Sequence, residues 1–153
     1  MNMMFYIKFS WLLGDLMTNS DNFNWYWLHE LGAVLLDSDD EAYLRTAINR
    51  FYFSAFCEAR YYLIKNKIFY NDKFEKMLLS GSGKVHSATK NIFRNAIEVN
   101  NETIGLDIGN ALEALRKNRN KVDYEGPSKN FKRTALESQD DSLFVFNTLN
   151  KLK

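Results

Sequence analysis

Residues 44–63, LRTAINRFYFSAFCEARYYL, carry the longest apolar-periodic pattern of the chain and decide its predicted fold. At about 100° per residue, one wide helical face collects the side chains of Leu44, Ile48, Phe51, Tyr52, Ala55, Phe56, Ala59, Tyr62 and Leu63. A second, narrower face is formed by Phe53, Cys57, Tyr61 and Ile64. Two apolar faces predict a central helix with two packing partners: the core of the domain, and either a second copy of the chain or its N-terminal segment.

Shorter apolar patterns on either side predict further helices. We expect a helix over about 22–36, capped by Ser20 or Asp21, the central helix over about 41–66, and others over about 84–99, 103–124 and 130–152. The last of these is expected to pack through Phe131, Leu136, Leu143, Phe144, Phe146, Leu149 and Leu152. Proline occurs once, and neither a hairpin turn signal nor sustained alternation is present. The predicted fold class is all-α, an antiparallel bundle of four to five helices.

Composition limits the possible classes of protein. With 153 residues, of which 46% are hydrophobic and 25% charged, the chain fits one globular domain, predicted over 21–153 after an apolar N-terminal arm over 1–20. Charged and small residues interrupt the arm, so we expect neither a membrane helix nor a signal peptide. The formal charge of +1 means that nucleic-acid binding would need a local basic patch. The single cysteine, Cys57, excludes an intramolecular disulfide and favours a reducing cytoplasmic location.

Residue types that hold metals or phosphates are not arranged in the known motifs. Neither His29 nor His86 has a second histidine or a carboxylate at ligand spacing on its own helix, so we expect no metal and no cofactor. The run SGSGK at 80–84 lacks the glycine spacing, the magnesium-binding hydroxyl and the preceding strand of a phosphate loop. It is therefore interpreted as a flexible loop.

Residues 116–124, RKNRNKVDY, place a charged side chain on an otherwise apolar helical stripe. The stripe is formed by Ile104, Ile108, Ala111, Leu112, Leu115 and Val122. Arg119 projects inside this stripe, and Asp123 lies at its edge. A guanidinium at such a position needs a partner or a task. Because Asp123 lies four residues after Arg119, an ordinary salt-bridge spacing, a structural pair and a functional site are both consistent with the pattern.

Three segments, in order along the chain, resemble the helices of small prokaryotic HEPN-domain proteins. Residues 47–60, AINRFYFSAFCEAR, are similar to the Arg-x-Tyr-Tyr-Ala-x-Phe run and the following Ala-Arg of the second HEPN helix. His86 resembles the histidine that opens their third helix, and residues 112–124 are similar to their fourth-helix signature, an Arg followed by Ala-Asp-Tyr. The resemblance covers about residues 39–124 and implies a role in a toxin-antitoxin or phage-defence type of system.

The resemblance also implies a chemistry. Active HEPN ribonucleases carry an Arg-(Asn/Asp/His)-x-x-x-His motif in each subunit of a dimer and cleave RNA without metal, leaving 2′,3′-cyclic phosphate ends. Arg119 and Asn120 match the first two positions, but Tyr124 stands where the histidine is expected. A phenol with an ordinary pKa near 10 is a poor base at neutral pH, so His86 becomes a candidate replacement. The candidate catalytic residues are Arg119, Asn120, Tyr124 and His86.

Two functions stay open. The first is an RNA-associated or regulatory module, and the second is an active metal-independent endoribonuclease. Residues that would border the RNA are Arg116, Lys117, Lys121 and Arg50, while Asp123 and Tyr52 would form a structural or partner pair. The predicted partners are a second copy of the chain, with Arg119 in the cleft between subunits, RNA, and a nucleotidyltransferase that would modify Tyr124; no membrane is expected.

Overall fold

The computed structural model describes residues 23–69, 71–80, 83–95, 102–127 and 130–152, and all regular structure in these ranges is helical. Its six helices are α1 Tyr26–Leu36, α2 Glu41–Lys65, α3 Asp72–Leu79, α4 Lys84–Asn95, α5 Glu102–Tyr124 and α6 Phe131–Leu152. The all-α class is confirmed. Among the described helices, none is both long and apolar enough to cross a bilayer. The predicted arm over 1–20, together with Ser20 and Asp21, lies outside the described residues.

Helix α2 runs through the centre of the bundle and packs against each of the other five helices. The Asp40 side chain caps its start by accepting the N–H of Ala42 at 2.8 Å. All nine residues of the predicted wide face are buried, which confirms α2 as the core helix. On the narrow face Phe53 and Tyr61 are exposed, whereas Cys57 is buried. Burial raises the pKa of Cys57 to about 12, which keeps its thiol protonated and unreactive.

Helices α4 and α5 lie antiparallel. The Arg116 guanidinium donates to Ser87 Oγ at 3.2 Å, and one turn away along both helices Lys90 pairs with Glu113. Residue numbers therefore rise along α4 as they fall along α5. This alignment sets the first turn of α4 beside the second half of α5.

Helix α6 packs through a face that hydrophobicity predicted only in part: Phe131, Phe146 and Leu149 are buried as predicted. Leu136, Leu143 and Phe144 are exposed by 47%, 36% and 41%, so their prediction as inward residues was wrong. The buried positions of the helix include Thr134, Ala135, Ser138 and Ser142. Small side chains let α6 approach its neighbours closely, and their hydroxyl groups find hydrogen-bond partners there, such as the Asn118 amide that donates to Ser138 at 3.1 Å.

Helix α3 has no counterpart among the predicted helices and brings the number to six. Its start is capped by the Asn71 side chain, which accepts the N–H of Lys73 at 3.0 Å, and its Leu78 is fully buried. With 8 residues, α3 is too short to give a clear helical period. Helix α1 also begins later than expected, because the Asn24 side chain accepts the N–H of Tyr26 at 3.1 Å.

Arg45 fastens the C-terminal end of α5 to the start of α2. Its guanidinium donates to the carbonyl oxygens of Val122, Glu125 and Gly126, the last two at 3.1 and 3.0 Å. It also lies 4.3 Å from the ring centroid of Phe131. The last carbonyl groups of a helix have no partner within it, and a cation at that end is favoured by the helix dipole. Arg45 thus satisfies the end of α5 and fixes α2 and α5 antiparallel.

A buried polar cluster joins α1, α2 and α6. His29 Nδ1 lies 2.9 Å from Ser142 Oγ, which in turn lies 3.3 Å from Ser54 Oγ. The His29 ring packs against Phe51 and Phe146 with centroid distances of 5.1 and 6.0 Å. Burial in these surroundings disfavours a charged imidazole and lowers the pKa of His29 below its ordinary value.

Replacing Arg45 by Met should lower the free energy of unfolding by about 2 kcal/mol, because the end of α5 loses its hydrogen-bond donors and its cation. Urea denaturation followed by circular dichroism measures the change. The matched control is Arg133→Met, since the Arg133 side chain is 84% exposed and pairs with Glu137 four residues on. Equal midpoints for Arg45→Met and the wild type would contradict the role of Arg45.

Acidification should destabilise the fold through His29. Because its folded-state pKa is lowered, the unfolded chain binds the proton first, so stability is complete above the unfolded pKa near 6.5 and declines as the pH falls below it. The His29→Asn variant, whose side-chain oxygen can still meet Ser142, should lose less stability between about pH 7.5 and 5.5 than the wild type. Urea midpoints at both pH values test this, and an identical decline in the two proteins would refute it.

Candidate functional site

Tyr52 of α2 and His86 of α4 meet at the centre of the candidate site. The Tyr52 hydroxyl oxygen lies 2.6 Å from His86 Nδ1, and the two rings are tilted by 33° with their centroids 5.7 Å apart. Phe56 lies one turn after Tyr52 on the same face of α2, and its ring centroid is 4.1 Å from that of the imidazole. The pair is therefore held by one hydrogen bond and by ring packing from one helix.

Arg119 of α5 is held by side chains of its own helix and of α2. Its Nε lies 2.6 Å from Asp123 Oδ2 and 3.4 Å from Asn49 Oδ1. The Asn49 amide also donates to Asp123 Oδ1 at 2.9 Å, and Asn120 Oδ1 accepts from Arg119 Nη1 at 3.3 Å. The Arg119–Asp123 salt bridge, predicted from the four-residue spacing, is present. Asn49, which links that pair to α2, was missed by the sequence analysis because it is 70 residues away.

Three arginines act on the Tyr52–His86 pair through their charges. Burial is the main reason why the pKa of His86 is lowered, and the positive charges of Arg116, Arg119 and Arg60 lower it further. Burial raises the pKa of Tyr52 to about 12, although Arg116 and Arg119 oppose this rise. At neutral pH the imidazole is therefore uncharged and the phenol keeps its proton.

Two of these arginines are anchored by neutral groups. Arg116 Nη1 donates to Ser87 Oγ in α4, and Arg60 Nε donates to the carbonyl oxygen of Leu78 at the end of α3 at 2.6 Å. A neutral acceptor orients a guanidinium but does not cancel its charge. Asp123 offsets the charge of Arg119. The charges of Arg116 and Arg60 are not offset by their neutral acceptors, so the surroundings of His86 stay positive.

This arrangement suits an anion. Like charges held near one another repel, and a bound anion offsets that repulsion. A guanidinium presents a planar set of N–H donors that matches the oxygens of a phosphate, and a neutral imidazole can add one more donor. We name Arg116, Arg119, His86 and Tyr52 the arginine–histidine site.

Tyr124, one of the predicted catalytic residues, is not placed with these groups. It is 82% exposed at the end of α5, and its position lies roughly 140° around the helix from Arg119. The imidazole on which Arg119 acts is that of His86, although it is distant in sequence: burial lowers its pKa most, and the charges of Arg116 and Arg119 lower it further. Asn120 contacts Arg119 directly, as described above.

The predicted RNA-border residues are divided between several faces. Arg116 belongs to the arginine–histidine site, whereas Lys117 and Lys121 lie roughly 160° around α5 from Arg119. Arg50 lies about 100° around α2 from Asn49. Its Nε is buried without a hydrogen-bond partner among the described residues. Arg60 and Ser87 are additional members of the site surroundings that the sequence analysis did not select.

A second concave feature has the opposite electrostatic character. The groove between α5 and α6 has a volume of about 460 Å³ and is lined by Ala114, Lys117, Asn118, Glu137, Asp140 and Asp141. Burial and the neighbouring Asp140 and Glu137 raise the pKa of Asp141 above its ordinary value. A surface of this kind disfavours phosphate. Within the described part of the chain, no His, Cys, Asp and Glu side chains form a group of three or more that could hold a metal ion.

No protein-family model matches the chain, and neither the curated proteins nor the solved structures contain a significant match to it. The HEPN resemblance therefore depends on the three sequence motifs, and function has to be argued from the arginine–histidine site itself.

Removing the positive charge of Arg116 should raise the pKa of His86, because that charge disfavours a protonated imidazole. NMR titration of the imidazole resonances in Arg116→Gln and in the wild type measures the change. The control is Arg94→Gln. Arg94 lies on the same helix as His86, but its charge is not among those that lower the pKa of His86. An unchanged or lower pKa of His86 in Arg116→Gln would contradict the site geometry.

Proposed function

We propose that the chain is a HEPN-like, RNA-associated module that holds RNA phosphate groups at the arginine–histidine site. The observation that carries the proposal is that Arg116 donates to Ser87, next to His86 on α4, and Arg119 donates to Asn49, one turn before Tyr52 on α2. Both guanidinium groups thus contact the two helices that carry the Tyr52–His86 pair. Arg116 has the neutral partner Ser87 and keeps its charge for a phosphate, whereas Arg119 shares its charge with Asp123. Phosphate contacts supply most of the sequence-independent affinity for nucleic acids.

RNA is the favoured source of the phosphate because the motifs that resemble HEPN proteins include residues of this site. Arg119 belongs to the fourth-helix motif, Tyr52 to the second-helix motif, and His86 to the third. With a formal charge of only +1, the chain lacks a general positive field, so the affinity must come from a local cluster of this kind. A place in a toxin-antitoxin or phage-defence system belongs to the same proposal.

The homodimer is predicted because a second copy facing α5 would explain why Arg119 lies on the apolar stripe. Within one chain, the bonds of Arg119 to Asn49 and Asp123 already account for that position. A dimer through α5 and a nucleotidyltransferase that modifies the exposed Tyr124 stay predictions.

The alternative function is a metal-independent endoribonuclease, in which His86 would supply the imidazole. In that reaction the ribose 2′-hydroxyl attacks the adjacent phosphorus, the 5′-oxygen of the next nucleotide leaves, and a 2′,3′-cyclic phosphate remains. An imidazole moves the proton, and arginines stabilise the charge on the phosphate. Incubation of the protein with an RNA pool in EDTA, followed by analysis of the product ends, distinguishes this reaction from binding alone.

RNA binding should weaken steeply as salt rises, and Arg116→Gln should lower both the affinity and that salt dependence. Losing one phosphate contact on single-stranded RNA reduces the slope of log K against log salt by about 0.7. Fluorescence anisotropy with a short labelled single-stranded RNA, over about 50 to 200 mM salt, gives both quantities.

The matched control for this prediction is Arg133→Gln, which removes the same charge from a side chain that is 84% exposed on α6. It should bind RNA like the wild type. An equal loss of affinity in the two variants would mean that net charge alone accounts for binding, and a salt-independent affinity would contradict a phosphate site.

A further inference from the structure

The contact between Tyr52 and His86 has a direction that the surrounding groups determine. Either the phenol donates to Nδ1, or a proton on Nδ1 is donated to the phenol oxygen. A phenol is a stronger acid than a neutral imidazole N–H, and an imidazole nitrogen is a better acceptor than a phenol oxygen. The separation of 2.6 Å between oxygen and nitrogen fits the stronger arrangement, in which the hydroxyl donates.

The other polar neighbours of Tyr52 favour the same direction. The α5 charges that act on it are those of Arg116, Arg119 and Glu113. Guanidinium groups are donors without acceptor atoms, so they favour a phenol oxygen whose lone pairs are available. Glu113 is an acceptor, but its carboxylate is hydrogen-bonded to Lys90. Among the described residues, the acceptor within hydrogen-bond distance of the Tyr52 hydroxyl is His86 Nδ1.

We infer that Tyr52 donates its hydroxyl proton to His86 Nδ1 and so fixes the imidazole in the tautomer that carries its proton on Nε2, which makes His86 a hydrogen-bond donor to phosphate rather than a general base. The inference rests on the proposed function only in naming RNA phosphate as the group that accepts the Nε2–H hydrogen bond. Tyr52 is a positioning residue, because it acts through His86.

The ring nitrogens then have separate tasks. Nδ1 is occupied by the Tyr52 hydroxyl, while Nε2 has no hydrogen-bond partner among the described residues. A general base needs an unprotonated nitrogen that faces the substrate, and this tautomer offers none. An Nε2–H can instead donate to a phosphate oxygen, alongside the donors of Arg116 and Arg119. The site is thus organised to bind a phosphodiester and leave it intact.

The tautomer can be read directly from long-range ¹H–¹⁵N NMR spectra of the imidazoles, recorded without RNA at about pH 7.5, above the ordinary histidine pKa. The spectrum of His86→Gln assigns the signals, since His29 is the second histidine of the chain. We expect a protonated-type shift for Nε2 and, for Nδ1, an unprotonated-type shift that is displaced by the accepted hydrogen bond.

Tyr52→Phe should abolish the displacement of the Nδ1 shift, whereas Tyr62→Phe should not. Tyr62 is a matched control because it is also buried on α2 and packs against Phe93. A proton on Nδ1 in the wild type, or an Nδ1 shift that is the same with and without the Tyr52 hydroxyl, would overturn the inference. Because this measurement contains no RNA, it is independent of the proposed function.

RNA titrations of two His86 variants then test the donor role. In Gln the side-chain amide N–H group reaches about the position of Nε2, and in Asn it reaches that of Nδ1. His86→Gln should therefore keep RNA affinity within about twofold, while His86→Asn should lose about fivefold, the effect of one hydrogen bond. Equal losses in both variants would contradict a donor at Nε2. Absence of RNA binding by the wild type would overturn the proposed function. The NMR measurement would still decide which tautomer His86 adopts.

Discussion

The guanidinium of Arg45 holds the end of α5 against the start of α2, and the candidate site depends on the alignment of these two helices. Its bonds to the carbonyl oxygens of Val122, in the last turn of α5, and of Glu125 and Gly126, just after that helix, fix the register at one end. One turn further along α2, Asn49 contacts both Arg119 and Asp123. A further turn along, Tyr52 and Phe56 meet His86. The structural and functional residues of α2 therefore follow one another along a single edge of the helix.

The chemistry of the site follows from how its charges are compensated. Asp123 pairs with Arg119, but Arg116 and Arg60 are oriented by the neutral acceptors Ser87 and Leu78. Burial lowers the pKa of His86 most, and the nearby positive charges lower it further, so the imidazole stays neutral at neutral pH. A neutral ring with one nitrogen bound to a phenol can offer a donor at low energetic cost. The same constraint therefore favours anion binding and disfavours acid-base catalysis.

Local patterns predicted the features that depend on one helix alone. The wide face of α2 and the apolar stripe of α5 follow from helical periodicity, and the Arg119–Asp123 pair follows from its spacing. The inward face of α6 was predicted only in part, because Ser138 and Ser142 are buried through hydrogen bonds that no hydrophobic pattern reveals. The contacts of His86 and Asn49 join residues 34 and 70 positions apart, so only the packing of α2 against α4 and α5 brings them together.

The arginine Nε–Hε NMR signals, followed as single-stranded RNA is added, test most directly whether RNA phosphates bind at Arg116 and Arg119. We expect the signals of Arg116 and Arg119 to shift together and saturably, while that of Arg133, exposed on α6, stays in place. Shifts that are confined to Arg133 and other exposed arginines, with Arg116 and Arg119 unchanged at saturation, would contradict a phosphate site at Arg116 and Arg119.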